Sequence, residues 1–164
     1  MQFSLLRDEG ILTLHPKQEI AMTTETKARV HARAEIDITA DAAHVWTLLS
    51  GIDAWPRWNP AVARAHLEGP LAIGSVFRWK AGGASIVSTL RRVEPLAALG
   101  WTGRATGIDA VHHYTLTPTE TGVRVVTEET FDGWLVRLMP GAFRRMLDKS
   151  LHEGLIALKT AAEA

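Results

Sequence analysis

The stretch PGAFRRMLDKSLHEGLIALKTAA, from Pro140 to Ala162, decides the fold. Apolar residues recur in it every three or four positions, which is the spacing of one face of an α-helix. Pro140 suits the first helical turn, where its missing N–H would have no partner. We therefore predict an amphipathic helix about 33 Å long, whose apolar face must pack against another element. That face comprises Phe143, Met146, Leu147, Leu151, Leu155, Leu158 and Ala162.

The chain before this helix supplies strands for it to pack against. Between Arg29 and Ile38 apolar and polar residues alternate, as they do in a half-buried strand. Six further runs have the composition of strands and are separated by turn signals such as Gly82-Gly83. Because the connections are short, neighbouring strands should be antiparallel. The six runs are Val62–Glu68, Ser75–Lys80, Ser85–Val93, Leu96–Arg104, Ile108–Thr117 and Gly122–Phe131.

Two short helical segments are expected between the first and second strands. Asp41 suits the N-cap of a helix over Ala42–Leu49 that ends at Gly51. The segment from Asp53 to Pro60 contains two prolines, which limits it to a turn or a short helical loop. We therefore predict an α+β fold in which a curved, seven-stranded antiparallel sheet wraps around the long C-terminal helix, with two short helices after the first strand.

Residues 1–27 do not continue these patterns. We interpret them as an N-terminal arm, which is either a tail or one added strand around Gly10–Leu14. Met22 is a second candidate for the natural start of the chain. Residues 28–164 form the predicted domain.

Composition excludes several classes of function. The 18 basic and 18 acidic side chains balance, so no overall field attracts nucleic acid, and none is expected as a partner. The absence of cysteine excludes disulfides, thiol nucleophiles and cysteine-ligated metals. No apolar run approaches the roughly 18 residues that span a bilayer. The N-terminus lacks the pattern of a secretory signal, so the expected location is the cytoplasm.

Several short motifs occur in a recognisable order: AHVWTLL (43–49), WPRWNP (55–60), GSVFRW (74–79), VEP (93–95), WTG (101–103), VHHY (111–114) and EETFDGWL (128–135). Together with the order of elements, they resemble the START-like (SRPBCC) superfamily of the helix-grip fold, and in particular its bacterial polyketide cyclase/dehydrase-like branch. The resemblance covers about residues 28–162. It implies the fold, but the family mixes cyclases with ligand carriers, so it does not choose one activity.

The inward face of the predicted sheet alternates large aromatic residues with small or polar ones. Ala32, Ala34, Ser88, Gly103 and Ala110 fall on the same face as the tryptophans. A tightly packed core would fill such positions with branched residues, so the pattern favours a pocket between the sheet and the C-terminal helix. A plain core with uneven layers is the alternative.

His112 and Glu129 are the candidate catalytic residues. If Leu116 lies opposite Val125, the register places His112 opposite Glu129, within reach of a hydrogen bond. An imidazole beside a carboxylate could act as general acid and base on a carbonyl compound, as in an aldol cyclisation or a dehydration. The alternative is a buried pair that satisfies itself. A register slip of one residue would bring in His113 instead.

The expected pocket walls are aromatic and thioether side chains. Flat rings suit an apolar or aromatic ligand, and methionine adapts to varied shapes. Core packing is the alternative for each of them. The candidate ligand-contacting residues are Trp55, Trp58, Phe77, Trp79, Trp101, Tyr114, Met139, Phe143 and Met146.

Nothing in the sequence calls for a metal or a cofactor. His112 and His113 are neighbours on a strand and point to opposite faces, so they cannot hold one metal together. Gly82-Gly83 lacks the lysine of a phosphate-binding loop.

The leading hypothesis is a protein that binds a small hydrophobic molecule, polycyclic or lipid-like, between sheet and helix. A polyketide cyclase/dehydrase-type enzyme that uses His112 and Glu129 is the first alternative. The second is a homodimeric interaction module with no ligand.

Overall fold

The computed structural model describes residues 30–164. The predicted N-terminal arm, with its possible strand at Gly10–Leu14 and the alternative start at Met22, lies outside the described residues and stays a prediction. The strands are β1 (Val30–Ile38), β2 (Val62–Glu68), β3 (Val76–Ala81), β4 (Ala84–Glu94), β5 (Ala98–Ala105), β6 (Ile108–Thr119) and β7 (Gly122–Asp132). The helices are α1 (Ala42–Ser50), α2 (Trp55–Trp58), α3 (Trp134–Leu138) and α4 (Pro140–Ala162), and a 3-10 turn covers Ile52–Ala54.

The seven strands form one antiparallel sheet in the order β1-β7-β6-β5-β4-β3-β2. Helix α4 lies across it, packed chiefly on β1. Its buried residues are Phe143, Leu147, Leu151, Leu155, Leu158 and Ala162. The predicted helix-grip architecture is therefore confirmed. No helix within residues 30–164 is long and apolar enough to cross a bilayer.

The prediction for Met146 was wrong, because this side chain is 48% exposed rather than packed under the helix. The row of α4 that faces the sheet runs through Phe143 and Leu147, and Met146 lies about 100° around the helix from Leu147. Met139, which precedes the helix, is 51% exposed. Neither methionine is packed in the core, and contact of either with a ligand stays a prediction.

Most element boundaries agree with the sequence-based expectation to within one residue, and the larger differences have physical reasons. Strand β5 begins at Ala98, because Leu96 adopts a positive φ of 65° in the turn after β4. Strand β6 continues through Pro118 because β5 ends its pairing at Thr115, so the proline nitrogen needs no partner on that side. Helix α3 was not predicted, since five residues are too few for a periodic pattern.

The inner face of the sheet, which carries α4, has two different ends. At what we call the closed end, Phe77, Leu90, Leu99, Leu116 and Val125 are fully buried under α1, the 3-10 turn, α2 and the C-terminal half of α4. At the open end, further along the same strands, the inward side chains are only half-buried. They are Trp79, Ile86, Ala110, Glu129 and Phe131.

Candidate functional site

An aromatic cluster fills the closed end. The ring centroid of Trp55 lies 5.6 Å from that of Phe77 and 5.5 Å from those of Trp79 and Trp101. The Trp55 indole N–H donates to the backbone oxygen of Leu49 over 2.9 Å. These contacts place Trp55, Phe77 and Trp101 in the packed core, which is the alternative that the sequence left open for them. Contact with a ligand in addition stays a prediction.

Trp79 marks the passage from the closed to the open end. Its indole N–H donates to the hydroxyl of Ser88 over 3.0 Å, and Ser88 itself is buried. A methyl group at Gly103 would come within 3.1 Å of that hydroxyl. Because Gly103 has no side chain, the Ser88 hydroxyl has room to accept the hydrogen bond that orients the Trp79 ring. The other side of the ring remains partly accessible.

Ala32 and Ala34 are small for a different reason. Both are buried on β1, beneath α4, and their small side chains allow the helix to approach the sheet closely. At positions 32, 34, 88 and 103 the small inward residues therefore serve the packing of a helix and an indole. These four positions do not indicate a pocket.

Four polar side chains meet on the inner face where β6 pairs with β7. The register sets His112 opposite Glu129 and Tyr114 opposite Thr127, which confirms the predicted pairing. We call these four residues the polar cluster. His112 is 7% exposed and Thr127 is fully buried. They lie at the boundary between the closed and open ends.

The two nitrogens of His112 have different surroundings. Nε2 lies 2.7 Å from the Thr127 hydroxyl, and this hydrogen bond orients the ring. Nδ1 lies 3.4 Å from Oε1 of Glu129. This nitrogen is buried and has no hydrogen-bond partner among residues 30–164. Two aromatic rings contact the imidazole, with centroids 4.7 Å away for Trp101 and 4.8 Å for Tyr114. Nδ1 is therefore a buried polar atom of the cluster that has only this long contact with Glu129.

Burial raises the pKa of Tyr114 well above its ordinary value, and the nearby Glu129 carboxylate raises it further, while the Thr127 hydroxyl partly offsets both. Tyr114 is consequently a neutral hydrogen-bond donor and acceptor in the physiological range. Helix α4 presents Gly154 to it, and a methyl group there would lie 4.0 Å from the tyrosine oxygen. Because Gly154 has no side chain, the surface of α4 leaves space next to the Tyr114 hydroxyl.

His113, the candidate under a shifted register, lies on the outer face. A side chain at Gly100 would collide with the His113 ring, so the glycine on β5 provides the space that this ring occupies. His113 is therefore not part of the polar cluster.

Phe143 and Trp58 lie near different ends of α4. Phe143 packs edge-on against Phe131 at 6.4 Å and covers part of the open end. Trp58 packs in part against the buried core, where the loop after α2 and the C-terminal half of α4 enclose a groove of about 780 Å³ that also contacts Ile156. Trp58 is therefore not beside Phe143 at the open end.

A second groove, of about 580 Å³, lies on the outer face of the sheet. Its charges are largely paired, because Arg104 lies 3.2 Å from Asp109 and Asp132 lies 3.0 Å from Arg137. None of the predicted catalytic or ligand-contacting residues lines it.

Sequence reasoning missed the role of Thr127. Its inward parity was evident, but the hydrogen bond to His112 depends on a diagonal contact across β6 and β7 and on one side-chain rotamer. The usable signal was the spacing of Thr127 and Glu129, two residues apart on one face opposite a histidine.

Several solved structures share this fold. A START superfamily protein from Mycobacterium smegmatis is 16% identical with a TM-score of 0.69, over 81% of this chain and 97% of that one. A hypothetical protein from Helicobacter pylori is 16% identical with a TM-score of 0.74, over 99% and 98% of the two chains. The di-domain ARO/CYC protein StfQ from the steffimycin biosynthetic pathway is 19% identical with a TM-score of 0.66, over 82% of this chain and 50% of that one.

At such identities the likeness shows the fold alone. A comparison with curated proteins finds no match. Residues 29–163 match the model of a family described as polyketide cyclase / dehydrase and lipid transport. This match spans most of the chain, and it agrees with the START-like resemblance of the sequence. The chain therefore belongs to the polyketide cyclase/dehydrase and lipid transport family.

Proposed function

We propose that the protein binds a small hydrophobic molecule, polycyclic or lipid-like, at the open end of the inner face. The observation that carries this proposal is the incomplete cover of large inward side chains. Trp79, Ile86 and Phe131 lie on the inner face but are only half-buried, while their neighbours along the same strands are fully buried. Apolar side chains on a concave surface beside convergent polar groups are typical of ligand sites.

The polar cluster suggests the second property of the ligand. His112 Nδ1 lacks a hydrogen-bond partner among the described residues, and the Tyr114 hydroxyl is held neutral. A buried polar atom without a partner costs free energy, and a ligand that supplies the missing bond recovers it. The favoured ligand therefore combines a flat apolar body with at least one hydroxyl or carbonyl oxygen.

A fluorescent apolar dye tests the proposal. We expect 1-anilinonaphthalene-8-sulfonate to bind the wild-type protein with increased emission. Trp79→Ala should weaken binding by about 5- to 30-fold, because one aromatic wall contributes about 1 to 2 kcal/mol.

The matched control is Trp58→Ala, which removes an indole beside the C-terminal half of α4 and should leave the affinity within about twofold. Far-UV circular dichroism would verify that both variants are folded. Equal affinities for wild type and Trp79→Ala would contradict binding at the open end.

Catalysis of the cyclase/dehydrase type is a second candidate, favoured by the 3.4 Å approach of Glu129 to the buried Nδ1 of His112. In a dehydration, one member of this pair would take a proton from the carbon beside a ketone. The other would protonate the leaving hydroxyl, which departs as water and leaves an enone.

An aryl β-hydroxyketone would report this reaction through the ultraviolet absorption of the enone. We expect His112→Ala and Glu129→Gln to abolish turnover and His113→Ala, on the outer face, to retain it. Turnover that survives in His112→Ala would exclude this mechanism. The homodimeric interaction module stays a prediction.

A further inference from the structure

We propose that an exposed apolar surface beside the open end docks the protein on membranes that contain anionic lipid. This surface, which we call the rim patch, consists of Trp134, Leu138, Met139 and Met146. Their exposed fractions are 61%, 69%, 51% and 48%. Exposed apolar residues that stand singly are ordinary, whereas a group of this kind marks an interaction surface.

The four residues are neighbours along two helices. Trp134 and Leu138 are four positions apart on α3 and so share one side of it. Met139 follows Leu138 directly and lies between the two helices, and Met146 follows in the second turn of α4. The other large exposed apolar residues of the described chain lie in the loop before β3, on β4, in the turn after β4 and in the C-terminal half of α4. They are Ile73, Val87, Leu96 and Ile156.

Contacts with the sheet place the rim patch at the open end. The Trp134 ring lies so close to Gly107, in the turn between β5 and β6, that a methyl group there would come within 2.8 Å of it. The chain enters α3 directly after β7, whose Phe131 contacts Phe143 at the start of α4. The Trp134 ring is thus held against the sheet with one side facing outward.

The charges around the rim patch fit an anionic surface. Residues 134–146 contain Arg137, Arg144 and Arg145 and no acidic residue. Arg137 is paired with Asp132, and Arg144 lies 3.7 Å from Asp148, but Arg145 makes no ion pair within residues 30–164. A basic side chain near an anionic membrane contributes about 1 kcal/mol to its binding.

The combination indicates a lipid surface rather than a protein partner. Tryptophan, leucine and methionine insert favourably at the boundary between headgroups and acyl chains, and arginines at the margin contact the phosphates. The family description includes lipid transport, and a lipid-like ligand at the open end would then lie next to the bilayer it comes from. That last step rests on the proposed function, while the docking itself does not.

Co-sedimentation of the full chain with vesicles tests the docking. We expect binding to vesicles of phosphatidylcholine with phosphatidylglycerol and much weaker binding to phosphatidylcholine alone. The double variant Trp134→Ser/Leu138→Ser should lose at least about tenfold in vesicle affinity, because two large apolar side chains no longer insert. Arg144→Glu/Arg145→Glu should lose a similar factor on the anionic vesicles.

Two matched controls isolate the rim patch. Ile73→Ser/Ile156→Ser removes equally exposed apolar residues elsewhere, and Arg57→Glu/Arg64→Glu changes the same charge elsewhere, so both should bind vesicles like wild type. Equal loss in controls and rim variants, or no binding by wild type, would overturn the proposal. A concentration-dependent dimer that Trp134→Ser/Leu138→Ser abolishes would also overturn it and assign the surface to a second copy.

Dye binding distinguishes the proposed docking on membranes from the proposed binding of a ligand at the open end. The variant Trp134→Ser/Leu138→Ser should bind 1-anilinonaphthalene-8-sulfonate as the wild type does, because neither residue lines the inner face. Loss of vesicle binding with intact dye binding in this variant therefore separates docking from ligand binding. A wild-type protein that binds vesicles but no dye would remove the ligand site and leave the docking surface.

Discussion

Two tryptophans on the inner side of the sheet have different surroundings although their rings touch. Trp55 contacts three aromatic rings, donates its N–H to a backbone oxygen and is 5% exposed. Trp79 is held on one side by Ser88 and is only half-buried. The closed end therefore stabilises the fold, and the open end of the same strands is where we propose that a ligand binds.

The largest expected effect is the loss of the closed-end indole. Trp55→Ala should lower the free energy of unfolding by about 3 to 5 kcal/mol, because it leaves a cavity among packed rings. Trp79→Ala should cost less than half as much, since its ring is partly solvated already. Urea denaturation followed by circular dichroism measures both values. Equal losses in the free energy of unfolding would contradict the difference in packing between the closed end and the open end.

An intermediate effect is expected within the polar cluster. Thr127→Val removes the hydroxyl that orients His112 and leaves its Nε2 buried without this partner, which should cost about 1 to 3 kcal/mol in the free energy of unfolding. Thr127→Ser keeps the hydroxyl and is the control, with a smaller loss. The same urea measurement applies. A valine variant as stable as the serine variant would mean that the hydrogen bond contributes nothing.

The smallest effect concerns Tyr114, the single tyrosine of the chain. Its pKa is raised in the folded protein by burial, whereas an unfolded tyrosine ionises with a pKa near 10. Its contribution to stability is therefore complete below about pH 10 and declines above it, since the unfolded chain releases the proton first. Ultraviolet absorbance should show no tyrosinate at about pH 10 while the protein is folded.

Tyr114→Phe is the control for this titration, because it removes the chromophore and should also remove this part of the alkaline decline in stability. Tyrosinate that forms with a midpoint near pH 10 in the folded wild type would contradict the burial of the hydroxyl.

Sequence patterns were sufficient to predict the features that depend on helical periodicity and on the alternation of side chains along a strand. The pairing of His112 with Glu129 was predictable because a short turn and a two-residue repeat leave only two registers, and only one of them buries Leu116 and Val125. The length of α4 was predictable because Pro140 and a regular apolar spacing define it.

Periodicity could not determine which residues at the edge of the apolar face of α4 are covered by the sheet. Met146 was assigned to the buried face for that reason, although Phe143 and Leu147 take that face. Small residues were equally ambiguous. Ala32 allows α4 to pack closely on β1, and Gly103 leaves room for the Ser88 hydroxyl that binds the Trp79 indole, so neither residue leaves an empty space. Such assignments require the three-dimensional neighbours of each residue.

Six tryptophans provide the most direct test, because each has its own indole N–H signal in a nitrogen-15 nuclear magnetic resonance spectrum. A hydrophobic molecule titrated into the labelled protein should shift the Trp79 signal most and leave Trp46 and Trp58 unchanged. Saturable shifts centred on Trp79 would support binding at the open end. Shifts centred on Trp58, or no saturable shift with any of a panel of aromatic and lipid-like molecules, would contradict it.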